Sequence, residues 1–332
     1  MVATATLIGI ASNDSFDVVS AAQRTIGKRF AGYRLNENMS SPLPDAIELE
    51  WNASGLWVYR NANCEDSGTQ PVFGGWAGVA AGQADAWLGH AAHVINRHFT
   101  PERPYLYSPH HEQAAANAQQ CGIGCNGTAA EYQSFFRYVV EFFRNEGVAD
   151  RMRFCCVPVV GQYANDDPND GISAMDPGSD WVDIYGCDSY TRGTPLSKPS
   201  PQVAGIDLVG NYAADRGKLA MIGEFGVQAN TPEAADYLSA ALELFKSQGN
   251  WFAVFTDAAS MGSELLPTWR DAARDPAFAF AGPAPAFSAD RTRVTVDGHR
   301  IGPRAGSGSE AKAIATWLSG GGYDAIESAS RV

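Results

Sequence analysis

Two glutamates stand where apolar, β-prone runs end: Glu112 in Tyr105-Leu-Tyr-Ser-Pro-His-His-Glu-Gln113, and Glu224 in Leu219-Ala-Met-Ile-Gly-Glu-Phe-Gly226. Each is followed by loop residues and then by helical spacing. Two carboxylic acids brought together at such positions are the minimum equipment for cleaving a glycosidic bond, one as acid/base and one as nucleophile. The two glycines flanking Glu224 leave room for a bulky ligand and free the backbone there. Around Glu112 the adjacent His110 and His111 raise the question of a metal. Neighbouring residues of an extended chain face opposite ways, and the helical His-Glu-x-x-His spacing is missing. A metal-dependent hydrolase built on His110, His111 and Asp188 is therefore a distant reading, and no metal is expected. His111 suits a hydrogen bond that sets the charge of Glu112 or a neighbour.

Strands and helices must position these acids. Apolar runs at 7–12, 33–37, 56–61, 105–108, 153–160, 182–187, 219–223 and 251–256 read as eight strands. Stretches at 17–29, 82–98, 129–146, 202–216, 232–247 and 266–274 carry helical spacing, with Thr128 and Thr231 as N-caps and Pro232 at a first helical position. The slot at 38–49 is the weakest, because Pro42 and Pro44 interrupt its start. Repeated strand–helix alternation predicts an α/β fold, a (β/α)₈ TIM barrel, whose strand C-termini carry the chemistry. Glu112 then belongs to the fourth strand and Glu224 to the seventh. An open doubly wound sheet is the structural alternative. The first strand is followed by Gly-Ile-Ala-Ser-Asn-Asp, which is neither a dinucleotide nor a phosphate loop, so no cofactor is expected.

Residues 1–280 are read as the catalytic barrel, and 281–332 as linker plus a small C-terminal appendage. Ala-Gly-Pro-Ala-Pro-Ala at 281–286 is a linker signature, 291–301 reads as a hairpin turning at Asp297-Gly298, and 310–318 looks helical. The appendage is a candidate for attachment within a larger assembly.

Composition narrows the partners. The net charge is −13 over 332 residues, which disfavours nucleic acid and anionic membrane surfaces. No apolar run approaches a membrane span of roughly 18 residues. Leu7-Ile-Gly-Ile-Ala11 reads as a first strand rather than a secretory leader, since it is short and no basic residue precedes it. Eight Trp offer faces for stacking on sugar rings, although most aromatics in any chain are core. Among the six cysteines, Cys121 and Cys125 lie in one Gly-rich loop where a local disulfide is geometrically allowed. Cys155 and Cys156 read as buried small hydrophobes, and Cys64 with Cys187 would pair only if their strands are close.

Three short motifs occur in order on these strands: His111-Glu112, Gly186-Cys-Asp-Ser-Tyr190 and Gly223-Glu-Phe-Gly226. Together they resemble clan A of the retaining glycoside hydrolases, and within it glycoside hydrolase family 26, the β-mannanase family, over about residues 5–275. The resemblance implies a barrel that hydrolyses a β-linked polysaccharide or oligosaccharide by double displacement. Glu224 would be the nucleophile and Glu112 the acid/base, with carboxyls about 5–5.5 Å apart. Further candidates for the substrate cleft are Arg60 at the third strand end, Trp76 in the following loop as a sugar platform, His111, Asp188 and Tyr190 of the second motif, and Asp257 after the eighth strand. The family carries a Trp-rich stretch after the acid/base residue, where this chain has Gln113-Ala-Ala-Ala-Asn-Ala-Gln-Gln. That departure motivates an alternative, a catalytically weak carbohydrate-binding barrel of a phage tail or cell-surface assembly. An extracellular, cell-surface or virion setting is expected on the same grounds.

Overall fold

The computed structural model describes residues 5–11, 22–64, 71–113, 116–117, 120–121, 126–165, 167–190, 205–227, 234–257, 260, 262–280, 286–287, 293–296 and 299–303. Eight parallel strands form one sheet: β1 (Thr6–Ala11), β2 (Gly32–Asn38), β3 (Trp57–Asn63), β4 (Tyr105–Ser108), β5 (Met152–Cys156), β6 (Ile184–Tyr190), β7 (Leu219–Gly226) and β8 (Trp251–Thr256). The sheet closes, because β8 also pairs with β1 in the register Leu7↔Ala253 to Ile10↔Thr256. Phe278–Ala279 adds a short parallel strand beside Thr6 and Leu7. The chain is therefore a (β/α)₈ barrel. All eight expected strands are present, with ends moved by a few residues.

The helices that connect them are α1 (Ala46–Ala53), α2 (Gly75–Ala80), α3 (Asp85–His98), α4 (Ala129–Asn145), α5 (Ile206–Asp215), α6 (Ala234–Gln248) and α7 (Leu266–Ala272). Local chemistry explains their starts. Asp45 and Thr128 cap α1 and α4 reciprocally with Glu48 and Glu131, each satisfying two orphan donors. On α4, Tyr132, Phe135, Phe136, Val139, Val140 and Phe143 form one buried face, the i, i+3, i+4 stripe that packs a helix onto a barrel. The prolines at 42 and 44 delay α1 instead of abolishing it. Helix α2 occupies a stretch read as loop, and this changes the position of Trp76. Residues 22–26 are helical, so the expected 17–29 helix stops short, with 27–29 beyond its end and 17–21 outside the described residues. The cap residues 231–233 and the 310–318 helix lie outside the described residues.

Two cores result. Inside the barrel, Tyr59, Leu106, Cys155, Val157, Ile184, Met221, Ala253 and Phe255 meet, as inward side chains fill a packed barrel. A larger core fills the space between strands and helices. Cys64, Cys155, Cys156 and Cys187 are buried free thiols, so Cys64 and Cys187 are not paired. The Cys121–Cys125 expectation falls outside the described side chains. Near the C-terminus, Arg293–Val296 pairs antiparallel with His299–Pro303, as the hairpin expectation requires, and Ala286–Phe287 joins as a third strand inside the stretch expected to be linker. Among the described residues, no helix is long and apolar enough to cross a membrane.

Candidate active site

Glu224 owes its direction to a bulge. On β7, Met221 belongs to the inner core and Ile222 to the outer one. Strict alternation would then aim Gly223 inward and Glu224 outward. The β6–β7 register instead jumps from Cys187↔Ile222 to Asp188↔Glu224, leaving Gly223 as the extra residue. A bulge re-aims the side chains that follow it. Only glycine fits there: a Cβ would lie 2.5 Å from Asp188 Oδ1 and 2.8 Å from Val157 Cγ1.

The carboxylate of Glu224 is held on both oxygens. The guanidinium of Arg34, from β2, contacts Oε1, and the Tyr190 hydroxyl, from β6, donates to Oε2. His111 Nε2 lies 3.5 Å from Oε1. Burial alone would push this carboxyl up. Arg34 first, then His111 and Tyr190, outweigh that and hold it well below the ordinary carboxylate range. Glu224 is thus a committed anion, partly open to solvent at 14% side-chain exposure. Tyr190 moves up, through burial and then the charge of Glu224. Arg34 is itself positioned: with its amide turned to suit its neighbours, the Asn61 carbonyl accepts from Arg34 Nε at 2.8 Å and Nη2 at 2.7 Å.

Glu112 arrives by an irregular route. Strand β4 stops at Ser108, and residues 109–113 form a tight turn. Within it Glu112 has φ 48°, in the left-handed region, and its N–H donates to Val157 O at 2.8 Å. Such a conformation costs a non-glycine residue roughly 1–2 kcal/mol. Its charge reaches Asp188, whose carboxyl it helps to push up.

The turn sends the two histidines apart. His111 Nδ1 meets Asn63 Oδ1 at 2.8 Å and faces Glu224 and Asp188. His110 points into the outer core, where its Nδ1 accepts from Trp76 Nε1 at 3.2 Å and from the Cys64 N–H at 3.1 Å. Burial, then His111, pushes His110 down to about 3, so it stays neutral. A site joining His110, His111 and Asp188 is therefore absent. His111, Asp188 and Glu224 do bring one ligand-type atom each within 4.8 Å of one another. The cation against Glu224 in that cluster is already the guanidinium of Arg34.

Two expectations need correction. Arg60 does not reach the cluster. On β3 the inward positions are Tyr59, Asn61 and Asn63, so Arg60 faces the helices, where Nη2 pairs with Glu48 Oε2 at 3.1 Å and donates to Pro42 O at 2.6 Å. Trp76 is fully buried on α2, packed against Tyr132 and Phe135, and offers no face to a sugar. Asp188 and Tyr190 do lie beside Glu224. Asp257 sits at the rim: its Oδ1 takes the N–H and hydroxyl of Ser260 at 2.9 and 2.7 Å, and a Cβ on Gly226 would lie 3.1 Å from its Oδ2. Sequence reasoning missed Arg34 and Asn63. An arginine at the inward phase of a central strand was the available signal, since a buried guanidinium demands an anionic partner.

A closed parallel barrel with an anchored carboxylate at its C-terminal rim belongs to the (β/α)₈ class. Residues 53–229, more than half of the chain, match the profile of Glycosyl hydrolase family 26, and the chain belongs to that family. A mannan endo-1,4-beta-mannosidase of Bifidobacterium adolescentis is 28% identical over 128 residues, which is 37% of this chain and only 12% of that protein. Solved structures share the fold. The catalytic domain of a GH26 endo-beta-1,4-mannanase from Bacillus sp. JAMB-750 has a TM-score of 0.59 at 17% identity, covering 83% of this chain and 87% of that one. A modular endo-beta-1,4-mannanase from Cellulomonas fimi scores 0.62 at 19% identity, covering 85% and 76%. A GH26 beta-mannanase from Bacteroides ovatus scores 0.59 at 14% identity, covering 84% and 91%.

Proposed function

We propose that this chain is a retaining glycoside hydrolase acting on β-mannan-type polysaccharide, with Glu224 as nucleophile and Glu112 as acid/base. The observation that carries the reading is the anchoring of Glu224 by Arg34 and Tyr190, which keeps it ionised and aimed. In the first step an oxygen of Glu224 bonds to the anomeric carbon as the glycosidic C–O bond breaks. Glu112 gives its proton to the departing oxygen. In the second step Glu112 takes a proton from water, whose oxygen displaces Glu224 and releases the sugar. Tyr190 and Arg34 hold the carboxylate in line, which lowers the entropic part of the barrier. The curated mannosidase and the mannanase folds support a mannan substrate. On this reading residues 1–280 carry catalysis, and 281–332 serve attachment.

The test is turnover of β-mannan against xylan and mixed-linkage glucan, with trapping by an activated fluorosugar and peptide mapping of the adduct. The adduct should sit on Glu224. Glu224→Gln and Glu112→Gln retaining full activity would sink the proposal. Glycan binding with neither turnover nor adduct would make this a carbohydrate-binding barrel instead.

A further inference from the structure

Beside Glu224 the cluster holds more acceptors than donors. His111 Nδ1 faces the amide oxygen of Asn63, which only accepts, so Nδ1 carries a hydrogen. In a neutral ring Nε2 would then turn a lone pair toward two carboxylates, 3.5 Å to Glu224 Oε1 and 3.8 Å to Asp188 Oδ2. Asp188 is 3% exposed. Neither of its oxygens has a side-chain donor within hydrogen-bond distance among the described residues, and the backbone N–H of Glu224 is the donor that acts on it. An ionised carboxylate buried with so little donation is strongly disfavoured.

Charge balance leads the same way. Arg34 and Glu224 form a neutral pair in contact. An ionised Asp188 beside a neutral His111 would add one uncompensated negative charge. The groups facing Asp188 are Arg34 from β2, Tyr59 from β3, His111 and Glu112 from the turn after β4, Glu224 from β7, and Tyr190 on its own strand. Only Arg34 is a fixed cation among them, and it is committed to Glu224 and Asn61.

We infer that His111 and Asp188 together hold one exchangeable proton between Nε2 and the Asp188 carboxyl through neutral pH, and that this pair positions Glu224 by cancelling the charge beside it. Whether the proton rests on oxygen or nitrogen, the four groups Arg34, Glu224, His111 and Asp188 sum to zero. Burial first, then Glu224 and Glu112, pushes the Asp188 carboxyl up, with Arg34 opposing. Once the proton leaves, Asp188 and Glu224 face each other as like charges on directly paired positions of β6 and β7. Glu224 then has reason to leave the Tyr190 hydroxyl. The proton itself stands without the hydrolase reading. Its kinetic consequence, an alkaline loss of kcat set by this pair, rests on that reading.

The test is a titration of the full chain, with isotope-labelled histidine rings and aspartate carboxyls, from mildly acidic to mildly alkaline pH. His111→Gln and Asp188→Asn assign the two signals. The expected result is a proton on either Nε2 or the Asp188 carboxyl at neutral pH, with both signals changing together when it leaves. In Asp188→Asn that shared change should disappear, and the alkaline limb of kcat should move by roughly 1–3 pH units while KM changes less. Should Asp188→Asn fail to fold, His111→Gln and the wild-type titration alone decide the matter. An ionised Asp188 beside an unprotonated Nε2 at neutral pH overturns the inference. Absence of turnover on every glycan, with the shared change present, would instead count against the hydrolase reading alone.

Discussion

Arg34 on the second barrel strand grips the carboxylate of Glu224 on the seventh, 190 residues away in sequence. The guanidinium is almost wholly buried, at 2% side-chain exposure. Breaking a buried pair leaves one charge without compensation and costs about 3–5 kcal/mol. Arg34→Met should therefore lower unfolding free energy by about that amount in chemical denaturation. The pH behaviour follows from the sign of the Glu224 shift. Its folded carboxyl lies below the ordinary 4.5, so its stabilising contribution is present above that value and is lost as pH falls through the folded one. Without Arg34 the carboxyl rises, and the acid limb of kcat moves up with it. An unmoved acid limb in a folded Arg34→Met protein would refute the assignment.

Tyr190→Phe removes the hydroxyl that donates to Glu224 Oε2. A hydrogen bond to a charged group contributes about 1.5–3 kcal/mol, so kcat should fall roughly 10- to 100-fold. Steady-state kinetics should show KM changing much less, because the bond acts on Glu224, the proposed nucleophile, and not on the sugar.

Trp76 separates a structural from a binding role. Its indole is buried against Tyr132 and Phe135 and donates to His110. Trp76→Ala should cost about 3–5 kcal/mol of stability. In Trp76→Phe, a milder change, thermal melting should shift down while KM for the glycan stays constant. A raised KM with an unchanged melting temperature would return Trp76 to the cleft.

Arg60 and Glu48 form a second buried pair, with the Tyr105 hydroxyl donating to Glu48 Oε1 at 2.8 Å. Arg60→Met alone should destabilise by about 3–5 kcal/mol, and adding Glu48→Leu should recover most of the loss. Burial, opposed by Arg60, pushes the Glu48 carboxyl up to about 7. The sign is opposite to that for Glu224: the contribution is complete below 4.5 and lost as pH rises through about 7. Glu48→Gln should flatten this part of the stability profile, and denaturation curves at mildly acidic and neutral pH would reveal it. A KM effect from Arg60→Met in folded protein would contradict its placement behind the barrel wall.

Much of the barrel was readable because its signals are local. Alternating apolar runs and helical stripes mark the elements, and capping pairs such as Thr128 with Glu131 mark where helices begin. Helix α2 escaped because a six-residue helix rich in glycine carries little periodic signal. Its presence buries Trp76 and removes the expected platform. Arg60 was misplaced by strand phase: with β3 running to Asn63, the inward set is Tyr59, Asn61 and Asn63.

The residue types by themselves determined the eight-strand alternation, the family motifs and the choice of Glu112 and Glu224, since these depend on composition and short spacing. Only the tertiary structure decided which side chains meet. Closing the sheet brings β2 across to β7, so that Arg34 meets Glu224. The bulge at Gly223 turns Glu224 inward against simple alternation, and the turn at 109–113 sends His110 and His111 to opposite sides of the wall. Those outcomes depend on register and closure, which pair residues far apart in the chain and leave no trace in local spacing.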